Sequence, residues 1–94
     1  MKTIWKWSLI MKDMQWIAMP EGAEILTVRM QGDVPQVWAL VDPKAHQIPR
    51  TIMIYGTGHP VDTERHTRYI STFQMHDGAL VFHAFEALPE RVTP

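Results

Sequence analysis

The chain contains no cysteine. Disulfide staples, a thiol nucleophile and thiolate metal ligands are therefore excluded. The absence fits a reducing, cytosolic home. An excess of one charge is also missing: 9 Lys and Arg stand against 10 Asp and Glu, for a formal net charge of −1. No Lys/Arg block occurs, so the basic surface that displaces counterions from phosphates is lacking, and nucleic acid is not an expected partner. No apolar run approaches the ~18 residues of a membrane-spanning helix, so no membrane partner is expected either. The opening Met1-Lys2, followed by Ile4, Trp5, Trp7, Leu9 and Ile10, faintly resembles a signal peptide. Lys6 interrupts that run, Lys12 follows it, and no small-x-small cleavage site lies nearby. A cytoplasmic location is expected. Catalytic signatures are scarce as well. There is no Gly-x-Ser-x-Gly elbow, no His-Glu-x-x-His and no Gly-Lys-Ser/Thr phosphate loop. The reading is of a protein that is not an enzyme, with no catalytic residues and no cofactor.

Apolar bulk is what the chain does have. Hydrophobic residues make up 46% of its 94 residues, including 4 Trp and 7 Met. A domain this short buries a modest share of its surface and is marginal alone. Aromatic side chains carry large buried areas, and methionine suits adaptable interfaces. So many large apolar residues in so short a chain predict self-association, and a closed homo-oligomer is expected.

Alternation of period two dominates and predicts strands with one buried face. In residues 3–10, Trp5, Trp7 and Leu9 point one way while Lys6 and Ser8 point the other. Residues 14–19 could pair back onto them through a turn at Lys12-Asp13. Pro20-Glu21-Gly22 is a turn signal. The span 24–31 alternates Leu26, Val28 and Met30 with polar residues. Residues 36–41 are apolar on both faces, as in a central strand. A short strand at 51–55 precedes an irregular stretch from Gly56 to His66. There a single helical turn within 61–68, capped by Asp62, is possible. Residues 69–75 and 79–86 form the clearest hairpin, around His76-Asp77-Gly78. The fold class is all-β, a small antiparallel barrel or sandwich of about seven short strands with little or no helix. Residues 1–88 make one β domain, and 89–94 a frayed tail.

The most distinctive segment is Gly56-Thr57-Gly58-His59-Pro60. Glycines let a backbone approach a ligand closely or adopt positive φ. Exposed N–H groups in such a loop can hold an anion. Thr57 adds a hydroxyl, and histidine is the side chain that titrates near neutral pH. Arg50 and Arg65 flank the segment, and either could reach a phosphate. Tyr55, Trp16 and Trp38 are candidate stacking platforms, with core packing the commoner fate of such residues. The ligand site is read as Gly56, Thr57, Gly58, His59, Arg50, Arg65 and Tyr55. An exposed glycine turn without a ligand is the plain alternative. The 5 histidines, His46, His59, His66, His76 and His83, lack the spacing of a metal site, and no metal is expected.

Several stretches carry a likeness that no single one of them would. They are Met1-Lys2-Thr3-Ile4, Met19-Pro20-Glu21-Gly22-Ala23-Glu24-Ile25-Leu26, Trp38-Ala39-Leu40-Val41-Asp42-Pro43, the Gly56–Pro60 segment, Tyr69-Ile70-Ser71-Thr72-Phe73-Gln74, and Gly78-Ala79-Leu80-Val81-Phe82-His83-Ala84-Phe85-Glu86. Together they resemble a family of small phage and prophage proteins of unknown function. The resemblance supplies a context rather than an activity. Such accessory proteins modify host processes or blunt host defences, some by binding signalling nucleotides and others by blocking a host protein. The expectation is a binding protein that sequesters a small anionic ligand such as an immune signalling nucleotide. A module that inhibits a host protein is one alternative, and a small virion or morphogenesis component is another.

Overall fold

The computed structural model describes residues 1–89, and the expected tail lies almost wholly outside them. Seven antiparallel strands form in two sheets, with no helix among the described residues. In the first sheet, β4 (Val34–Val41) lies between β1 (Thr3–Ser8) and β3 (Glu24–Gln31). The second has the order β2 (Met14–Pro20), β5 (Gln47–Gly56), β7 (Leu80–Ala87), β6 (Thr67–Met75).

The alternation of the sequence becomes the inner faces of these sheets. Val37, Ala39 and Val41 of β4 share its buried face, and Val28 of β3 pairs with Val37. From the second sheet, Met19, Ile52, Ile54, Phe73 and Ala84 join the same cluster. Full burial of the valine, isoleucine, methionine and phenylalanine side chains among them stabilises by about 1.5–3 kcal/mol each. Pro49 sits opposite Ala18, beyond the β7 pairing that begins at Thr51, so its missing N–H has no ladder partner to lose.

The expected hairpin between the first two strands does not form. β1 pairs with β4, and β2 pairs with β5. Between them the chain crosses from one sheet to the other. Leu9 is buried in the core, and its N–H bonds to the Pro35 carbonyl at 2.8 Å. The Gln15 side-chain amide then holds both the N–H and the carbonyl of Ile10. Burying Leu9 at the corner overrides the local turn signal. The helical turn considered near Asp62 is absent too. Asp62 Oδ1 accepts from the Glu64 N–H at 3.1 Å, an Asx turn that the helix does not follow.

The sheets are joined at one side and are not closed into a barrel. β3 and β6 each carry a register shift, at Ile25/Thr27 and at Tyr69/Ser71. There Ser71 Oγ accepts the Val28 N–H and donates to the Val28 carbonyl, both at 2.8 Å. One hydroxyl thus replaces a pair of ladder bonds. On the opposite side, β1 and β2 are open edges.

Candidate functional site

The Gly56–Pro60 segment leaves β5 through a tight turn. The His59 N–H bonds to the Gly56 carbonyl at 3.0 Å, and Gly58 takes φ +87°. Positive φ at the third turn position is what a type II turn requires, hence glycine. Gly56 is glycine for a different reason: a Cβ there would meet the His59 ring at 3.0 Å. The imidazole lies directly over the Gly56 backbone. Thr57 is tied down as well, its N–H donating to the Val81 carbonyl at 3.1 Å. Two of the loop's amides are thus bonded within the protein, and the turn sets the His59 ring over Gly56.

Folding back over β5, the 57–66 segment covers the outer face of that strand. Met53 is buried there, although it points away from the core cluster. The result is a half-open cleft of about 490 Å³ lined by Asp13, Met14, Met53, Tyr55, His59, Asp62 and Arg65, among others. Three of the residues singled out in the sequence, Tyr55, His59 and Arg65, converge on it. Arg65 Nη1 donates to Met14 Sδ at 3.3 Å and lies 3.6 Å from Met53 Sδ. It forms no ion pair among the described residues. The cleft thus offers one unpaired guanidinium, an aromatic ring, two polarizable sulfurs and two carboxyl groups.

Arg50 is not part of it. Its guanidinium makes a bidentate pair with Glu86, with Nη2 to Oε1 at 3.0 Å, and donates from Nη1 to the Ala23 carbonyl at 2.8 Å. Arg68 donates to the same Oε1 at 3.0 Å. Glu86 is 2% exposed, so this cluster is an internal staple, and it also walls a neighbouring cleft of about 550 Å³ that Arg65 shares. Trp16 and Trp38 lie away from the cleft: Trp16 projects from an open edge and Trp38 is half-buried on β4. Asp13, Met14 and Met53 escaped the sequence reading as site residues. Only the pairing of Met14 with Met53 brings the start of β2 beside this loop.

Residues 1–93 match the domain-of-unknown-function family DUF7352. The chain belongs to that family. No curated protein and no solved structure matches this DUF7352 domain. Its histidines have separate surroundings. His46 lies 3.2 Å from a Glu21 carboxyl oxygen, and His66 Nδ1 lies 3.0 Å from the Pro89 carbonyl. His83 does not face the core; it stands on the outer face of β7 between two hydroxyls. Its Nε2 is 2.7 Å from Thr57 Oγ1 and its Nδ1 2.9 Å from Thr72 Oγ1, which is 2.7 Å from the Tyr69 hydroxyl. With Thr57 donating to the Val81 carbonyl, the Nε2–H tautomer satisfies every link of that chain. No group of three or more His, Asp or Glu able to hold a metal occurs among the described residues of the DUF7352 fold.

Proposed function

We propose that this DUF7352 domain is a non-catalytic binding protein, a phage or prophage accessory protein acting in the host cytoplasm, and that the Tyr55–His59–Arg65 cleft takes a small anionic ligand. The observation that carries the reading is the convergence of those three side chains on one cleft. Electrostatics narrows the ligand class. Arg65 is the cleft's one arginine, and Asp13 and Asp62 line the same walls. Two carboxylates repel a polyanion, whereas one guanidinium binds a single phosphate well. Carboxylates also accept hydrogen bonds from hydroxyl and amino groups. A nucleoside bearing one phosphodiester charge, such as a cyclic nucleotide, suits this balance. Its base would lie against Tyr55 and Met53 and its phosphate against Arg65.

Thermal unfolding with a panel of cyclic and linear nucleotides tests the reading. A ligand at 100-fold its Kd stabilises by about 2.7 kcal/mol, a shift of several degrees in a domain of this size. The shift should vanish in Arg65→Gln and shrink in His59→Ala. If no nucleotide moves the wild-type midpoint, the reading fails. A second reading, inhibition of a host protein, is favoured by the exposed Ile4, Trp5, Ile10, Met11, Met14 and Trp16 near the open edges.

A further inference from the structure

The two open edges of the fold are guarded differently. Exposed strand edges invite pairing with another chain, and a charge in the middle of the edge is a common safeguard. Hydrogen bonding to the inner neighbour shows which residues face outward. In β1, the Leu9 N–H bonds to Pro35, so Ile4, Lys6 and Ser8 present their backbone groups to solvent. Lys6 stands at the middle of that edge, its ammonium reaching across the sheet to Gln31 Oε1. In β2, the Asp13 carbonyl accepts from the Ile54 N–H, and the Glu21 N–H bonds to the His46 carbonyl. Gln15, Ile17 and Met19 therefore bond to β5, while Met14, Trp16 and Ala18 turn their N–H and carbonyl groups outward. No charge lies anywhere between Met14 and Pro20. Trp16 is 70% exposed and Met14 48% exposed on this unguarded edge.

We propose that β2 pairs with β2 of a second copy of this chain, antiparallel about a two-fold axis, with Trp16 opposite Trp16 of the second copy. This inference does not rest on the cleft reading, though Met14 takes part in both. The strand is self-complementary in that register. Met14 stands opposite Ala18 of the second copy, large against small, and the relation repeats across the axis. Gln15 meets Ile17, and Asp13 meets Met19, so no like charges oppose each other. Each of Met14, Trp16 and Ala18 gains a partner for both backbone groups. Pro20, which has no N–H, falls at the end of the paired segment. Beside Trp16 runs an apolar groove of about 430 Å³, lined by Ala18, Ile48, Pro49 and Thr51 among others. Met14 of the second copy stands over Ala18 at its rim. Self-pairing of β1 about its middle sets Lys6 against Lys6 of the second copy, which the like charges disfavour. The second copy completes an eight-stranded sheet from two four-stranded ones.

Sedimentation velocity of the full chain across the micromolar range, without any ligand, tests this. The wild type should sediment as a dimer. Trp16→Lys should raise the dimer Kd at least ~100-fold, because it removes an aromatic anchor and opposes like charges at the axis. Mixing Trp16→Lys with Trp16→Glu should restore a heterodimer, an outcome specific to position 16 facing itself. Ala18→Pro should weaken the dimer while leaving monomer folding intact, since the N–H it removes points outward. A monomeric wild type overturns the proposal. So does a dimer indifferent to both Trp16→Lys and Ala18→Pro, or a mixture no more dimeric than either variant alone.

Discussion

Removing the Glu86 carboxylate should be the most damaging single change outside the apolar core. Glu86 holds Arg50 through both carboxylate oxygens and Arg68 through one. Its side chain is 3% exposed, that of Arg50 16% and that of Arg68 50%. In Glu86→Ala the Arg50 guanidinium keeps the Ala23 carbonyl and loses its counter-charge away from water. Breaking a buried pair from one side costs about 3–5 kcal/mol. A domain of this size has about 5–15 kcal/mol in total, and each kcal/mol moves its midpoint by about 4–8 °C. The midpoint should therefore fall by at least ~12 °C. Arg68→Ala, which removes a half-exposed partner, should cost no more than about 1 kcal/mol. The double variant Arg50→Met with Glu86→Leu should recover most of the loss, since apolar replacement of a buried pair is often neutral. It should retain a deficit of about 1 kcal/mol from the orphaned Ala23 carbonyl. Urea denaturation of the four proteins provides the measurement. If Glu86→Ala costs no more than Arg68→Ala, the pair is not acting as an internal ion pair and the argument is refuted.

Two further expectations rest on single positions. Ser71→Ala leaves the Val28 N–H and carbonyl without partners where β3 meets β6. It should cost about 1–3 kcal/mol and speed hydrogen exchange at the Val28 amide. Gly58→Ala forces a Cβ onto a residue at φ +87° and should destabilise by about 1–2 kcal/mol in urea titration.

The strands were legible wherever one face is wet. The expected span 24–31 coincides with β3, and Val28 and Met30 face the core as their alternation predicts. The bulge between Ile25 and Thr27 turns Ile25 into the core and leaves Leu26 44% exposed, which alternation alone does not foresee. The His76-Asp77-Gly78 turn was legible because positive φ is needed at all three residues, a conformation that Asp-Gly favours. The partner of β1 was hidden, because alternation reports a strand's faces and says nothing of its neighbour. Proximity in the chain favoured β2, whereas burial of Leu9 at the corner favoured β4. β5 is longer than the 51–55 expected because Pro49 reads as a break, yet its missing N–H falls outside the β5–β7 pairing. For the cleft, Tyr55, His59 and Arg65 were visible as residue types near a glycine turn. Arg50 looked equivalent to Arg65 in the sequence. Which face of β5 each side chain would take, and that Glu86 would meet Arg50 within the fold, depends on sheet register.

The crossing at Leu9 also fixes an order of events during synthesis. Only β3–β4 and β6–β7 are joined by short hairpin turns, whereas β1 waits for β4 and β2 waits for β5. The tryptophan-rich segment of β1 and β2 therefore leaves the ribosome before β4 and β5 and is placed only after they arrive. Loop closure over that span delays its pairing relative to the hairpins. Destabilising substitutions in β1 and β2 should accordingly speed unfolding and leave the refolding rate almost unchanged, with φ-values near zero. During that interval Trp5, Trp7 and Trp16 are unpaired on the nascent chain, the kind of transiently exposed apolar surface that makes a folding intermediate prone to aggregate.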